Sequence, residues 1–264
     1  IASITIDLLR LLLPGFFDEK PIQTSELRVE ISTLMDSVSG RLEDEITKSI
    51  EYRLPGESAD KPRPLAREIT AEFLGSFPAI REMLKTDVEA AYTGDPAALS
   101  HEEVVVAYPF VETIAVQRIA HQLYRRGVAL IPRIMAEWAH GRTGIDLHPG
   151  ANIGSHFFID HGTGTVVGET TVIGNHVKIY HGVTLGAKST SRVEELRGAK
   201  RHPTIDDNVT IYPGATILGG ETVIGANSTV GGNVFLIHSV PANSLVIAED
   251  VSVKVMKKAD NYEI

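Results

Sequence analysis

Three short polar strings in this chain hold residue types that move protons and bind charged ligands. They are Asp146-Leu147-His148-Pro149, Asp160-His161-Gly162-Thr163-Gly164 with Glu169-Thr170 close behind, and Arg201-His202-Pro203. An imidazole near a carboxylate can act as a general base, because the acid orients the ring and stabilises its protonated form. His161 and Asp146, 15 residues apart, form one candidate pair. The bland reading of the same residues is that Asp160 and His161 cap a turn, with the ring satisfied by a backbone carbonyl. A metal reading stands beside both. His156 and His161 are five residues apart, as are His176 and His181. Three imidazoles from one or two chains can hold zinc with a fourth position open to water. His148, His156, His176 and His238 otherwise read as surface or corner residues, and His101 and His121 as ordinary members of a helical region.

The element that must position these strings is a six-residue repeat from about Leu147 to Leu236. A branched apolar residue followed by glycine recurs as Ile153-Gly154, Val167-Gly168, Ile173-Gly174, Leu185-Gly186, Leu218-Gly219, Ile224-Gly225 and Val230-Gly231. Val167, Ile173, Ile179 and Leu185 follow at steps of six, as do Leu218, Ile224, Val230 and Leu236. That period fits neither an amphipathic helix nor an alternating strand. It predicts a solenoid in which each hexad is one short strand and one turn, three hexads close a triangular coil, and the branched side chains stack along the axis. Stacked positions then lie about 18 residues apart, so the Asp146–His161 spacing can bring the pair to one face. Between Leu185 and Ile205 the rhythm fails. The charged stretch Ala187 to Lys200 must leave the coil as a loop, and long loops on rigid scaffolds are more often functional than decorative.

Composition divides the chain near residue 140. Of 23 glycines, 17 lie from Gly141 onward, and the first half is rich in helix formers. Leu27, Ile31, Leu34, Val38, Leu42, Ile46 and Ile50 predict one long amphipathic helix. Tyr52 to Pro64 reads as a loop because it holds Pro55-Gly56, Pro62 and Pro64. Further helices are expected through Ile80 to Tyr92, ended by Gly94-Asp95-Pro96, from Phe110 to Arg126, and from Pro132 to His140. These pack on each other and on a partner subunit. A formal net charge of -9 argues against nucleic acid and anionic membrane as partners. With no cysteine there is no disulfide, thiol nucleophile or thiolate ligand. The apolar start, Ile1 to Phe17, is broken by Asp7 and Arg10 and does not read as a signal peptide. No run approaches the ~20 apolar residues of a membrane span, so a cytoplasmic protein is expected.

In six strings the sequence resembles serine acetyltransferases. They are Gly94-Asp95-Pro96-Ala97, Asp146-Leu147-His148-Pro149, Ile159 to Gly164, Val166-Val167-Gly168-Glu169-Thr170, Gly182-Val183-Thr184-Leu185-Gly186 and Arg201-His202-Pro203. The resemblance covers roughly Asp87 to Val240. It implies an α+β chain: an N-terminal α-helical oligomerisation domain over 1–140, then a left-handed parallel β-helix of hexapeptide repeats over 141–247. A loop at 187–203 is extruded from that β-helix, and a C-terminal tail covers 248–264. It implies acetyl transfer from acetyl-CoA to the hydroxyl of L-serine through a ternary complex, with no metal. His161 resembles the catalytic base and Asp146 its carboxylate partner. Asp95 and Asp160 resemble the groups that hold the substrate ammonium, and Arg201 and His202 those that hold its carboxylate. Gly186, Ala187, Pro213 and Gly232 match positions that line the CoA groove between neighbouring solenoids.

The resemblance also implies a homotrimer or dimer of trimers, feedback inhibition by cysteine, and docking of the C-terminal Ile264 into O-acetylserine sulfhydrylase. Three departures stand out. Ala187 replaces the family glycine at the start of a longer loop. His181 stands where glutamine is common. The Gly-x-Pro-Ala-Arg string is missing after Val240-Pro241. Three other readings stay open: another CoA-dependent O-acyltransferase of the same fold, a zinc hydrolyase of carbonic-anhydrase type, and a scaffold whose loop and tail dock partners.

Overall fold

The computed structural model describes residues 1–18, 22–53, 62–188 and 198–249. Within them the helices come first: α1 (Ala2–Leu12), α2 (Leu27–Arg53), α3 (Pro62–Gly75), α4 (Phe77–Gly94), α5 (His101–Ala107), α6 (Pro109–Arg125) and α7 (Ile131–Thr143). The long helix predicted from Leu27 is α2, buried through Val38, Leu42 and Ile46 at steps of four. The loop expected over Tyr52 to Pro64 is shorter than that. Tyr52 and Arg53 complete α2, residues 54–61 lie outside the described residues, and Pro62 and Pro64 sit in the first turn of α3. Proline is tolerated there because a first-turn N–H has no intrahelical partner to lose. Helix α6 lies at the centre, with Phe110, Val111, Ile114, Val116 and Ile119 all buried.

One buried ion pair fastens this helical part to the first coil. The Arg118 guanidinium of α6 meets both oxygens of Asp87 in α4, at 2.7 and 2.8 Å. It also donates to the carbonyls of Ile153 and Gly154 at 2.9 and 2.7 Å, and Asp87 accepts from the Phe157 N–H. Every polar atom of the pair has a partner, the condition under which a buried pair persists. Removing one member of such a pair costs about 3–5 kcal/mol. Phe110 packs edge-on against Phe157 and Phe158 beside it.

From Asp146 the chain forms a parallel solenoid of three sheets. Face one contains β1 (Asp146–Leu147), β4 (Val166–Val167), β7 (Thr184–Gly186), β10 (Thr216–Leu218) and β13 (Phe235–Leu236). Face two contains β2 (Asn152–Ile153), β5 (Val172–Ile173), β8 (Thr204–Ile205) and β11 (Val223–Ile224). Face three contains β3 (Phe158–Asp160), β6 (Lys178–Tyr180), β9 (Thr210–Ile211), β12 (Thr229–Val230) and β14 (Leu245–Val246). Each strand is too short to bury anything alone. Stacking coil on coil closes its backbone hydrogen bonds and packs Leu147, Val167, Leu185 and their equivalents into one apolar column.

The register corrects the repeat in one place. Ile217, not Leu218, pairs with Leu185 and lies fully buried, while Leu218 pairs with Gly186 and is half-buried. The hexad step holds through Ile205, Ile211 and Ile217, and one extra residue then enters the corner before Ile224. A glycine follows Leu218, as it follows the inward residues Ile153, Val167, Ile173, Leu185, Ile224 and Val230, and this made the wrong neighbour fit the pattern. Ile217→Ala should therefore cost about 2–5 kcal/mol, as a cavity in a fixed core does, and Leu218→Ala clearly less. Urea unfolding midpoints of the two variants give the order, and the reverse order would overturn the register.

Candidate active site

The predicted site residues fall at two corners of the prism. The first corner, between faces three and one, is built by a break in the repeat. From Ile159 to Val167 the step is eight residues, so two extra residues bulge out. His161 sits in the bulge at φ 60, a left-handed conformation rare for a residue with a Cβ. Gly162 follows at φ 86, and an added Cβ there would overlap Ile145. The turn therefore pushes the His161 ring outward, where its side chain is 73% exposed, 3.5 Å from Asp160 and edge-on to His181.

Asp95 reaches this corner from the helical part. It caps α4, and its Oδ1 accepts from the Ala97 N–H at 2.9 Å. Its Oδ2 accepts from the Tyr108 hydroxyl at 2.5 Å. The Tyr108 bond, then the Ala97 bond, hold the Asp95 carboxyl below the usual carboxylate range, helped by the charges of Lys178 and His161. The same bond pushes Tyr108 up to about 12, and Asp160 is near enough to add to it. The Lys178 ammonium lies 3.1 Å from Asp160. Asp95, Asp160 and His161 thus gather at this corner, with Asp160 buried and the His161 ring exposed.

The second corner, between faces one and two, carries the cationic residues. Arg201 pairs with Glu169, whose other oxygen accepts from the Tyr124 hydroxyl at 2.6 Å. Burial opposes the Glu169 charge, but the Tyr124 and Arg201 bonds outweigh it and hold its carboxyl below the usual range. His202 is buried on the corner glycine: an added Cβ at Gly168 would overlap its ring. Its Nδ1 accepts from the Thr170 N–H at 3.1 Å, leaving Nε2 to carry the proton. The Thr170 hydroxyl accepts from the N–H groups of Arg201 and His202 at 2.9 and 3.0 Å, which fixes the returning end of the extruded loop. Strand β7 ends at Gly186 and β8 begins at Thr204, as the failed rhythm predicts; residues 189–197 of the loop lie outside the described residues.

Within one chain these halves do not meet. A face of the prism separates Asp95, Asp160 and His161 from Arg201 and His202. The four positions expected for CoA divide the same way. Gly186 and Ala187 lie at the second corner, while Pro213 and Gly232 stack at the first, where the Pro213 carbonyl accepts from the Asn233 N–H. Asp146 and His161 share no ion pair or hydrogen bond among the described residues. Asp146 instead stands 3.9 Å from Arg133. The five-apart histidines are also split. His156 stacks on His176 with ring centroids 4.1 Å apart at the corner between faces two and three, away from His161 and His181. Among the described residues, metal-type ligand atoms converge at Glu137, His140 and Asp146, within 4.8 Å of one another, where the Arg133 guanidinium already contacts both carboxylates. Asp250 to Lys254 and the terminal Ile264 lie outside the described residues.

Tyr108, Tyr124 and Lys178 belong to the site without any signal in the hexad pattern, which marks inward residues and glycines. Lys178 is the outward residue before inward Ile179, in register with Phe158. The dipeptide Tyr108-Pro109, a helix break between α5 and α6, is the one local cue to Tyr108.

A helical region feeding an acidic side chain to a corner of a hexapeptide solenoid, with an exposed imidazole on that corner, defines a hexapeptide-repeat acyltransferase. The chain belongs to the serine acetyltransferase family. A plasmid-encoded serine acetyltransferase of Synechococcus elongatus is 43% identical over 260 residues, covering 96% of this chain and 79% of that protein. A Bacillus licheniformis serine acetyltransferase is 45% identical over 166 residues, covering 63% of this chain and 74% of its own length. Among solved structures, serine acetyltransferase isoform 3 of Entamoeba histolytica, in complex with cysteine, superposes with a TM-score of 0.83 at 36% identity over 97% of this chain and 84% of that one. The Neisseria gonorrhoeae enzyme in complex with serine gives 0.62 at 27% identity, covering 94% of each chain. No family model matches the sequence. None of the described helices is long and apolar enough to cross a membrane.

The buried imidazole at the second corner has a measurable signature. Burial, then the Arg201 charge, push His202 down from 6.5 to about 4. Between those values the unfolded chain takes up a proton that the folded chain refuses, so stability is full above about 6.5 and falls as pH drops towards 4. Burial lowers His121 and His148 in the same direction. His202→Gln should therefore flatten, not abolish, the acid slope of urea midpoints between pH 7 and 4; an unchanged slope would remove His202 as a source.

Proposed function

We propose that this chain transfers the acetyl group of acetyl-CoA to the hydroxyl of L-serine, giving O-acetylserine and free CoA. The observation that carries the reading is the first corner, where Asp160 adjoins the exposed His161 ring and Asp95 lies within reach of its charge. The two carboxylates receive the substrate ammonium. His161 takes the hydroxyl proton, the alkoxide attacks the thioester carbon, and the tetrahedral oxyanion collapses. The C–S bond breaks and the imidazolium returns its proton to the departing thiolate, so acid and base roles close without a covalent enzyme intermediate. The Ala187 N–H at the coil edge is assigned to the oxyanion, a contribution often worth a few kcal/mol. Asp146 is assigned as the carboxylate that steadies the imidazolium, on the family resemblance. No metal takes part in this scheme.

The substrate carboxylate is assigned to Arg201 and His202. The Arg201 guanidinium matches a carboxylate in charge and planar geometry, and His202 offers a neutral Nε2–H. Because those residues lie a whole face away from His161, we assign the complete site to two neighbouring solenoids of a trimer, with CoA between Gly186 and Ala187 of one copy and Pro213 and Gly232 of the next. Pairing of two trimers through the helices, cysteine competing for the serine site, a cytoplasmic location, and Ile264 docking into a sulfhydrylase complete the reading. Cysteine differs from serine by one atom, and the Entamoeba relative is described in complex with it.

A thiol-release assay with acetyl-CoA should show turnover with L-serine; turnover only with another hydroxyl acceptor would refute the substrate. His161→Ala should lower kcat by about 10²–10⁴-fold, the range for a lost general base, with its circular dichroism unchanged. Near-normal kcat would remove His161 as base. Co-expressing His161→Ala and Arg201→Ala chains should restore part of the activity each lacks, since mixed oligomers contain some intact corner pairs. No recovery would place both halves in one chain.

A further inference from the structure

We propose that Lys178 is a positioning residue for the amino-acid site, its one ammonium setting the spacing and charge of the two carboxylates, Asp95 and Asp160. This rests on the reading of those carboxylates as the receptors of the substrate ammonium. Lys178 lies on β6, one coil above Phe158. Its Nζ stands 3.1 Å from Asp160 and donates to the Gly94 carbonyl at 2.7 Å. Gly94 directly precedes Asp95, so a single cation joins the second carboxylate to the residue that carries the first. The two anchors belong to different parts of the fold: the end of α4 and the corner of the solenoid.

The ammonium has little freedom to leave. It sits over the rings of Phe158 and Tyr180, at 5.0 and 4.6 Å. Phe158 is itself pressed on Gly94, where an added Cβ would come within 2.9 Å of the ring. Burial alone would lower the Lys178 pKa, but its bonds to Tyr180 and Asp160 outweigh this, and the group stays charged. Both carboxylates lie within electrostatic reach of Lys178. One lysine leaves the pair with a single net negative charge, equal and opposite to one substrate ammonium. Loss of the lysine charge would let the carboxylates spread and free the Gly94–Asp95 joint from the solenoid. Binding of the amino acid would then suffer most, while the His161 ring, though it adjoins Asp160, stays set by its own left-handed turn, and the thioester groove is built from other residues.

Lys178→Met keeps the stem over both rings and removes the charge. With L-serine and acetyl-CoA, its KM for serine should rise about tenfold or more, with kcat within about threefold and KM for acetyl-CoA unchanged, the pattern of lost ground-state positioning. Lys178→Arg should recover most of the loss. The proposal is overturned if KM for serine stays within about twofold, if kcat and both KM values worsen together, or if arginine recovers nothing. A wild-type enzyme without turnover on serine would instead refute the functional reading, before any substitution is made, and this inference with it.

Discussion

The axis of the prism admits one branched aliphatic side chain per face and coil. Leu147, Val167, Leu185 and Ile217 form one such column, each paired with the next. A residue added within a strand would turn that strand's inward side chains outward, so extra residues are tolerated only at corners. The chain uses this freedom three times. Two extra residues after Ile159 create the His161 bulge, a long excursion after Leu185 returns through Arg201 and His202, and one extra residue follows Ile217. That last corner makes room for the loop: side chains at Gly219 and Gly220 would overlap Lys188 and the Lys200 carbonyl. Chemistry is thus confined to places where the packing rule is silent.

The same rigidity explains why the helical part is needed. A solenoid corner can present Asp160 and His161, but it cannot fold back to supply a second carboxylate. Asp95 comes from the end of α4, which the buried Asp87–Arg118 pair holds against the first coil. Charge is segregated as a result. The first corner carries the carboxylates that suit an ammonium, and the second carries the guanidinium and neutral imidazole that suit a carboxylate. An amino acid needs both, and the proposed function supplies both from two neighbouring prisms.

Much of the framework was legible beforehand because the hexad is a strong, local signal. The column residues, the excursion after Leu185, the long α2 and the end of α4 at Gly94 all follow from periodicity and breakers. The misplacement of Leu218 shows the limit of that signal. Two adjacent apolar residues, Ile217 and Leu218, satisfy the pattern equally, and only pairing with Leu185 separates them. Prolines 62 and 64 read as loop residues for a related reason, since proline breaks a helix interior and opens a helix start alike.

The sequence by itself determined the repeat, the helical-then-solenoid order and the candidate carboxylate, imidazole and guanidinium groups, because each depends on residue type and on neighbours a few positions away. It could not decide which of those groups meet. Lys178 ties Gly94, beside Asp95, to Asp160, His161 faces Asp160 rather than Asp146, and the five-apart histidines part to different corners. Lys178 comes to bridge the end of α4 and the solenoid corner only through coil-on-coil register. These outcomes depend on how many residues each coil contains and where the surplus is ejected, and that sum is settled only when all the coils stack on one axis.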